Sequence, residues 1–437
     1  MRYTRYRDRV GLQLLPKGWL SGRYGLGALI ALTLFSCLTL GFYYVYLRAA
    51  NRPHIPVFPL GRLSLNDVCD NSNKTPSTPY ENDIIPNFVH YVWLLRDPAI
   101  FSLNFPTFLS MYSAHVYFRP ERIYIHTDAS ESVFNRAKVA GDLWTRRVLA
   151  LPGITYHHVQ APPSTAKGVA IKLMEHKADF LRIEALRDSG GIYLDTDAVP
   201  LRDVSHLRKS GFAAVVGGVV ALAAQHTGFM NNGVLMSRPR SKLLDIWLAA
   251  SHEVFDGQWE TASIHLLTDL VYRLVAIPGE VLVLHPRAFA PISWEFEDQK
   301  RLFKPHLGTT PTDALQWLPD GAQRKKATLT EMENGNGTTC RDMMAYLRER
   351  EEDGKVEKWE MDFSSTYVLH AFDGDIPRMS GWDHEVNLRY VLARQSNYAR
   401  AVFPAVLHAI KEGVIPLEEV QEQRESKVID KEAKGRS

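Results

Sequence analysis

The chain has 437 residues, with 51 basic and 49 acidic side chains and a formal net charge of +2, so no global field argues for a nucleic-acid partner. At this length, with 45% hydrophobic residues, it exceeds a minimal domain and can bury one large core, as α/β enzymes often do. No internal repeat is apparent.

The first element is a basic N-terminus. Arg2, Arg5, Arg7, Arg9, Lys17 and Arg23 are opposed only by Asp8, and an uncharged stretch over 25–47 follows. As a helix this stretch would be about 34 Å long, enough to cross a bilayer. It is too long for a typical signal-peptide core. Because the positive flank stays cytoplasmic, residues 1–24 read as a cytoplasmic tail and 25–47 as a transmembrane signal anchor. The bulk would then face the lumen of the Golgi or endoplasmic reticulum as a single-pass type II membrane protein. Tyr43, Tyr44 and Tyr46 suit an interfacial aromatic belt. Residues 48–83, punctuated by Pro53, Pro56, Pro59, Pro76 and Pro79, form a stem. Asn73-Lys74-Thr75 and Asn336-Gly337-Thr338 are glycosylation sequons. Cys37 falls in the span, which leaves Cys69 and Cys340 as a luminal pair that is compatible with a bridge or with two free thiols.

Between 84 and 412 the pattern is that of one α/β domain. Strand-like runs at 88–93, 122–126, 154–159, 191–195, 212–216, 233–236 and 281–284 alternate with helical stretches. Such alternation predicts a mainly parallel sheet with ligands at its carboxyl edge. Residues 168–189 read as an amphipathic helix with Met174, Ala178, Leu181 and Ala185 as its buried stripe. Glu175, Asp179 and Arg182 share a neighbouring face, either as an ordinary surface pair or as groups that hydrogen-bond a sugar. The polar, Gly-rich segment 305–358 reads as an insertion with an exposed helix over 341–352, and 413–437 as a charged mobile tail.

The segment 187–201, RDSGGIYLDTDAVPL, carries the most chemistry. An aliphatic strand ends in two carboxylates, Asp195 and Asp197, separated by one small residue. Aspartates after a strand are common turn formers and caps. Two like charges this close also call for a cation, and Mg²⁺ or Mn²⁺ is usually held by one or two carboxylates plus the phosphates of a substrate. Gly190-Gly191 would let backbone approach a ligand, and Pro200 would stop the strand beyond the acidic pair.

The string Asp179-x-x-Arg182, Leu186, Gly190-Gly191-x-Tyr193-x-Asp195-x-Asp197 with Pro200-Leu201 resembles the DXD sugar-binding region of glycosyltransferase family 32. The same helix and turn occur in the large bacterial glucosylating cytotoxins. The likeness extends from Ile85-Pro86-Asn87-Phe88-Val89-His90-Tyr91-Val92-Trp93 through Asn231-Asn232-Gly233-Val234-Leu235-Met236 to Ser396-Asn397-Tyr398-Ala399-Arg400, which is typical of the fungal branch. It departs where many relatives carry Gly-Pro and this chain has Ile264-His265.

The resemblance implies a GT-A fold, Rossmann-like with helices flanking the sheet, and a retaining transfer of a hexose from a nucleotide sugar. It implies Mn²⁺ or Mg²⁺ at Asp195 and Asp197, donor-sugar contacts from Asp179 and Arg182, and Trp93 against the donor base, although a tryptophan there can equally be core. Asp195 would also reach the ribose or sugar hydroxyls. A C-terminal His and S-x-W element carries over to His370, as a third metal ligand, and to Ser380 and Trp382, as hydrogen-bond donors to the phosphates. His370 can also be read as a structural residue, with Asp373 and Asp375 as competing ligands. GDP-mannose is favoured as donor, UDP-hexoses are open, and the acceptor would be a glycan or glycolipid. Two other classes fit parts of the pattern. Leu194-Asp195-Thr196-Asp197-Ala198-Val199 also satisfies the nucleophile motif of haloacid-dehalogenase-type phosphatases, and a tethered, non-catalytic sugar-binding protein could share the metal site.

Overall fold

The computed structural model describes residues 33–41, 43, 85–219, 228–307, 359–363, 365–372, 379, 382 and 384–422. The chain divides into two units, 1–54 and 55–437. In the first, residues 33–41 are helical and exposed, with Cys37 as a free thiol. No described helix is long and apolar enough to cross a membrane. Most of the predicted span lies outside the described residues, together with the stem, both sequons, Cys69, Cys340, the bulk of the insertion and residues 423–437.

In the second unit every strand-like run becomes a strand of one sheet. These are β1 (Phe88–Val92), β2 (Arg122–Thr127), β3 (Ile154–His158), β4 (Gly191–Leu194), β6 (Ala214–Gly218), β7 (Met230–Ser237) and β8 (Val281–Leu284). The sheet has seven strands in the order β3-β2-β1-β4-β7-β6-β8. β1 runs parallel to β2 and β4, β2 to β3, and β6 to β8. Only β7 reverses, pairing antiparallel with β4 and β6. The architecture is therefore mixed α/β with a mostly parallel sheet, as the alternation predicts. A second, two-stranded sheet pairs β5 (Ala198–Pro200) antiparallel with β9 (Val368–His370), and the sequence pattern does not foresee that pairing.

The helices are α1 (Phe105–Phe118), α2 (Glu131–Ala140), α3 (Leu143–Leu149), α4 (Met174–Ser189), α5 (Ser205–Arg208), α6 (Lys242–Val254), α7 (Leu266–Leu274), α8 (Phe296–Phe303), α9 (Leu388–Ala393) and α10 (Asn397–Lys411). Asn104, Ser130, Asp142, Ser241, Asn387 and Ser396 cap six of them by accepting from a backbone N–H three residues on. Each such cap is worth about 1 kcal/mol.

Strand β4 is buried throughout and lies between β1 and β7. Because side chains alternate across a strand, its Ile192 and Leu194 enter the apolar cluster that holds α1 and α10. Tyr193 enters the opposite cluster with Leu181, Ile183 and Leu186 of α4 and Trp247 of α6. Burying each of these side chains contributes roughly 1.5–3 kcal/mol.

The structure departs from three local expectations. Helix α4 starts at Met174 and not at 168, because Gly168 takes φ +80° in a tight turn closed by a Ser164–Ala170 bridge. Nor is α4 buried along one stripe. It is wedged between the sheet and α6, so Phe180, Leu181, Arg182 and Ile183 are all buried while Met174 and Ala178 are only half-buried. Pro200 does not end β4 either. The turn at Asp195–Asp197 does, closed by the Ala198 N–H donating to the Asp195 carbonyl at 3.0 Å, and Pro200 instead pairs in β5.

Gly191, at φ +114°, also serves a different purpose from the one expected. A Cβ there would lie 2.5 Å from the Phe88 carbonyl oxygen. The close approach it allows is of the chain to itself, where α4 reverses into β4.

Candidate metal and donor site

The acidic turn sits at the carboxyl end of β4, and two antiparallel pairings bring distant residues to it. His370 stands opposite Ala198 in the β5–β9 pair, one residue beyond Asp197. Its Nε2 is 3.4 Å from Asp197 Oδ1 and 3.7 Å from Asp195 Oδ2. One ligand atom from each of Asp195, Asp197 and His370 lies within 4.8 Å of the others. Because β7 runs against β4, its first residues also arrive here, and the Asp195 N–H donates to the Gly233 carbonyl at 2.8 Å.

Asn231 orients the imidazole. Its Oδ1 accepts the Gly233 backbone N–H at 2.7 Å, a role that only the oxygen of the amide can fill. The same oxygen lies 3.1 Å from His370 Nδ1, which assigns a proton to Nδ1. The Nε2 lone pair is then free to face the two carboxylates, the arrangement that usually orients a metal-binding histidine. Gly233 keeps the space open, since a Cβ there would be 2.4 Å from His370 Cε1 and 2.5 Å from Asp195 Oδ2. Two carboxylates and one neutral imidazole are a donor set that fits Mn²⁺ and admits Mg²⁺. Burial pushes the His370 pKa down, yet Asp197 and Asp195 outweigh it and hold the group above its ordinary value. A proton and a cation therefore compete for the same nitrogen.

Arg182 joins this group to α4 and is only 6% exposed, which removes the surface-pair reading. Its guanidinium lies 3.1 Å from Asp179 Oδ1 and 3.3 Å from Asp195 Oδ1, and it donates to the Asn232 carbonyl at 2.7 Å. It also stands 4.7 Å from the centre of the Tyr193 ring, whose hydroxyl donates to Asp195 Oδ1 at 2.7 Å. Asn232 Nδ2 donates to Asp179 Oδ1 at 3.1 Å. Burial alone would weaken the charge on Arg182, but Asp195, Tyr193, Asp179 and Asp197 together raise its pKa. One guanidinium does not balance three carboxylates. Burial, opposed by Arg182 and reinforced by Asp195, pushes Asp179 up to about 6. A bound divalent cation would offset the surplus negative charge.

The remaining predicted residues divide. Trp93 follows β1 at the carboxyl edge of the sheet, half-buried against the larger apolar cluster, and its backbone N–H donates to the His126 carbonyl at 2.8 Å. Trp382 stacks on Phe303 at 6.0 Å and Tyr390 at 5.2 Å, and its buried indole nitrogen has no hydrogen-bond partner among the described residues. Ser380, Asp373 and Asp375 lie outside the described residues. The roles of Tyr193, Asn231, Asn232 and Gly233 at this site are not legible in the sequence. The signal for the last three was the polar Asn-Asn-Gly run ahead of an apolar strand, which is unusual where the strand would otherwise start.

Residues 120–212 match the family model described as the glycosyltransferase sugar-binding region containing a DXD motif. That span holds α4 and the acidic turn, while Trp93, Asn231 and His370 fall outside it. The chain is 30% identical over 227 residues to glucan organizing enzyme 1 of Cryptococcus neoformans var. grubii, over 50% of this chain and 57% of that protein. The chain thus spans less than two thirds of that relative. Among solved structures it is similar to the glycosyltransferase GlyE of Streptococcus pneumoniae, with TM-score 0.33 and 12% identity over 76% of this chain and 64% of that one. A PaToxG glycosyltransferase aligns with TM-score 0.32 and 15% identity over 45% and 72% of the two chains.

Proposed function

We propose that this chain, whose residues 120–212 match the glycosyltransferase sugar-binding region containing a DXD motif, is a metal-dependent, retaining glycosyltransferase of family 32 with GT-A architecture. It moves a hexose, with mannose favoured, from a nucleotide sugar to a glycan or glycolipid acceptor. The observation that carries this reading is the convergence of Asp195, Asp197 and His370 within 4.8 Å, beside a buried Arg182 that contacts Asp195.

Asp195, Asp197 and His370 would hold Mn²⁺ or Mg²⁺. When bound, the ion would act as a Lewis acid and neutralise charge on the departing nucleoside diphosphate. Arg182 and Asp179 orient the donor hexose, and their shared contacts with Asn232 fix that orientation. Trp93 stacks on the base, and Ser380 and Trp382 donate hydrogen bonds to the phosphates. The unpartnered indole nitrogen of Trp382 supports its part in this.

Retention follows if the acceptor hydroxyl attacks from the leaving-group side and gives its proton to the departing phosphate, so no protein nucleophile is required. The hydrogen bonding of Asp195 supports this. Oδ1 is engaged by Tyr193 and Arg182, and Oδ2 is turned toward His370, an environment that suits a fixed ligand better than the nucleophile of the phosphatase alternative. The basic tail and uncharged span over 25–47 support placement in the secretory pathway as a type II membrane protein, with Golgi or endoplasmic reticulum as the compartment.

The test is hydrolysis of a panel of nucleotide sugars, GDP-mannose, UDP-galactose, UDP-glucose and UDP-N-acetylglucosamine, by the full chain in detergent with and without Mn²⁺. Metal-dependent release of the nucleoside diphosphate from at least one is expected. Binding of a donor with no turnover would identify the tethered sugar-binding alternative, and no affinity for any donor would remove the proposal.

A further inference from the structure

The chain that leaves β9 is held on both sides of Ala371. The Ala371 N–H donates to the Asp197 carbonyl at 3.1 Å, and the Ala371 carbonyl accepts from Gln299 Nε2 of α8 at 3.0 Å. Gln299 is itself fixed, being 1% exposed and donating also to the Ser293 carbonyl at 3.0 Å. Directly after this anchor the chain turns through Phe372, which takes φ +51°. Left-handed backbone is strained for a bulky side chain. Arg119 and Arg394 adopt it as C-caps of α1 and α9, where helices commonly end in this way. Phe372 ends no helix, and a glycine would make its turn without strain.

What the phenylalanine supplies is its ring. The turn folds that ring onto His370, with centroids 3.9 Å apart and planes inclined by 30°. Trp294, just ahead of α8, meets the same ring edge-on at 5.8 Å and 70°. Strain of this kind persists where the surrounding structure over-determines it, and it clusters at functional sites. His370 has a use for such a support. Asn231 holds the imidazole by its Nδ1 edge, and a single hydrogen bond leaves a ring free to rock about the line of that bond. A flat surface against the imidazole face removes this freedom, so Nε2 stays aimed at Asp197 and Asp195. Edge and face together fix both side-chain torsions.

We infer that Phe372 is a positioning residue for the metal centre, whose strained turn holds the phenyl ring against the His370 imidazole and so presets the Nε2 lone pair for a divalent cation. The inference rests on the reading of Asp195, Asp197 and His370 as metal ligands. It adds a residue that acts only through His370, and a reason for a left-handed phenylalanine where a glycine would be easier to fold.

The experiment titrates Mn²⁺ alone into the full chain in detergent and reads the bound ion from the loss of the free-ion electron paramagnetic resonance signal. Melting temperatures are recorded without metal. Wild type should bind Mn²⁺, and Asp197→Asn should bind it far more weakly. Phe372→Gly removes the ring and relieves the backbone, and its Mn²⁺ affinity should fall about tenfold. Phe372→Ala should lose affinity to the same extent but melt below Phe372→Gly, because it keeps the strained φ. Phe372→Tyr, which keeps the flat ring, should bind as wild type does.

A residue that merely shaped the turn would be replaced by glycine without effect on the metal. Wild-type affinity in Phe372→Gly or Phe372→Ala, or a tenfold loss in Phe372→Tyr, would therefore overturn the role of Phe372 and leave the metal site standing. A wild-type chain that binds no Mn²⁺, or an Asp197→Asn chain that binds it equally well, would bring down the metal reading, and the role of Phe372 with it.

Discussion

Asn231 Oδ1 lies 3.1 Å from His370 Nδ1 while accepting the Gly233 N–H at 2.7 Å, so a residue at the start of β7 sets the tautomer of one that ends β9. Outer hydrogen bonds of this kind typically contribute 10–100-fold in metal affinity or activity. Asn231→Ala should therefore weaken Mn²⁺ binding by roughly tenfold or more, read by competition titration. An unchanged affinity would mean that His370 is oriented by other contacts.

Gly233 makes room for two proposed ligands at once. In Gly233→Ala the new Cβ would meet His370 Cε1 and Asp195 Oδ2 at 2.4 and 2.5 Å, so one or both must shift. Displacements near 1 Å can cost about 100-fold in rate. Metal-dependent donor hydrolysis should fall by that order, with the melting temperature changed far less. Normal hydrolysis by this variant would show that the site tolerates a rearranged His370.

Asp197→Asn keeps the shape of the turn but removes a charge, and it should abolish transfer while the chain still folds. The check is paired: circular dichroism for folding, and product formation over a Mn²⁺ titration. Full activity at limiting Mn²⁺ would remove Asp197 from the metal site.

Arg182→Ala leaves Asp179 and Asp195 without their shared cation. Breaking a buried pair in this way costs about 3–5 kcal/mol, so both a severe loss of transfer and a lower urea midpoint are expected. Saturating Mn²⁺ should return part of the stability, because a divalent cation replaces some of the lost positive charge. Unchanged donor kinetics would show that Arg182 is only a structural residue.

Acid sensitivity should come from a different cluster. His90, His126 and His157 form a chain across β1, β2 and β3, with ring nitrogens 2.9 Å apart at each step, and His90 Nε2 ends it 2.8 Å from the Gly190 carbonyl. Burial, aided by the neighbouring imidazoles, lowers His90 from 6.5 to about 4 and His126 from 6.5 to about 2. The folded state thus refuses protons that the unfolded chain accepts below about 6.5. Stability is complete above that pH and falls as pH drops through 6.5 toward 4, by about 1.4 kcal/mol per pH unit for each group. Urea midpoints of wild type and His126→Gln between pH 7.5 and 5 should show a shallower dependence in the variant. Parallel curves would contradict the assignment.

The sequence by itself determined the sheet and the acid pair. Alternation of β-prone and helical runs is a local property, so β1 to β4 and β6 to β8 were legible within a residue or two at most boundaries, and Asp195 and Asp197 stand where one such run ends. The spacing of Asp179 and Arg182 likewise placed both on one helix, but not its burial on several sides, which depends on α6 packing against it. Only the tertiary structure decided what surrounds the acids. β7 reverses and β9 pairs with β5, so Asn231, Gly233 and His370 reach the turn through hydrogen bonds between segments far apart in the chain. Register across such distances is set by the whole packed sheet, and no window of sequence contains it.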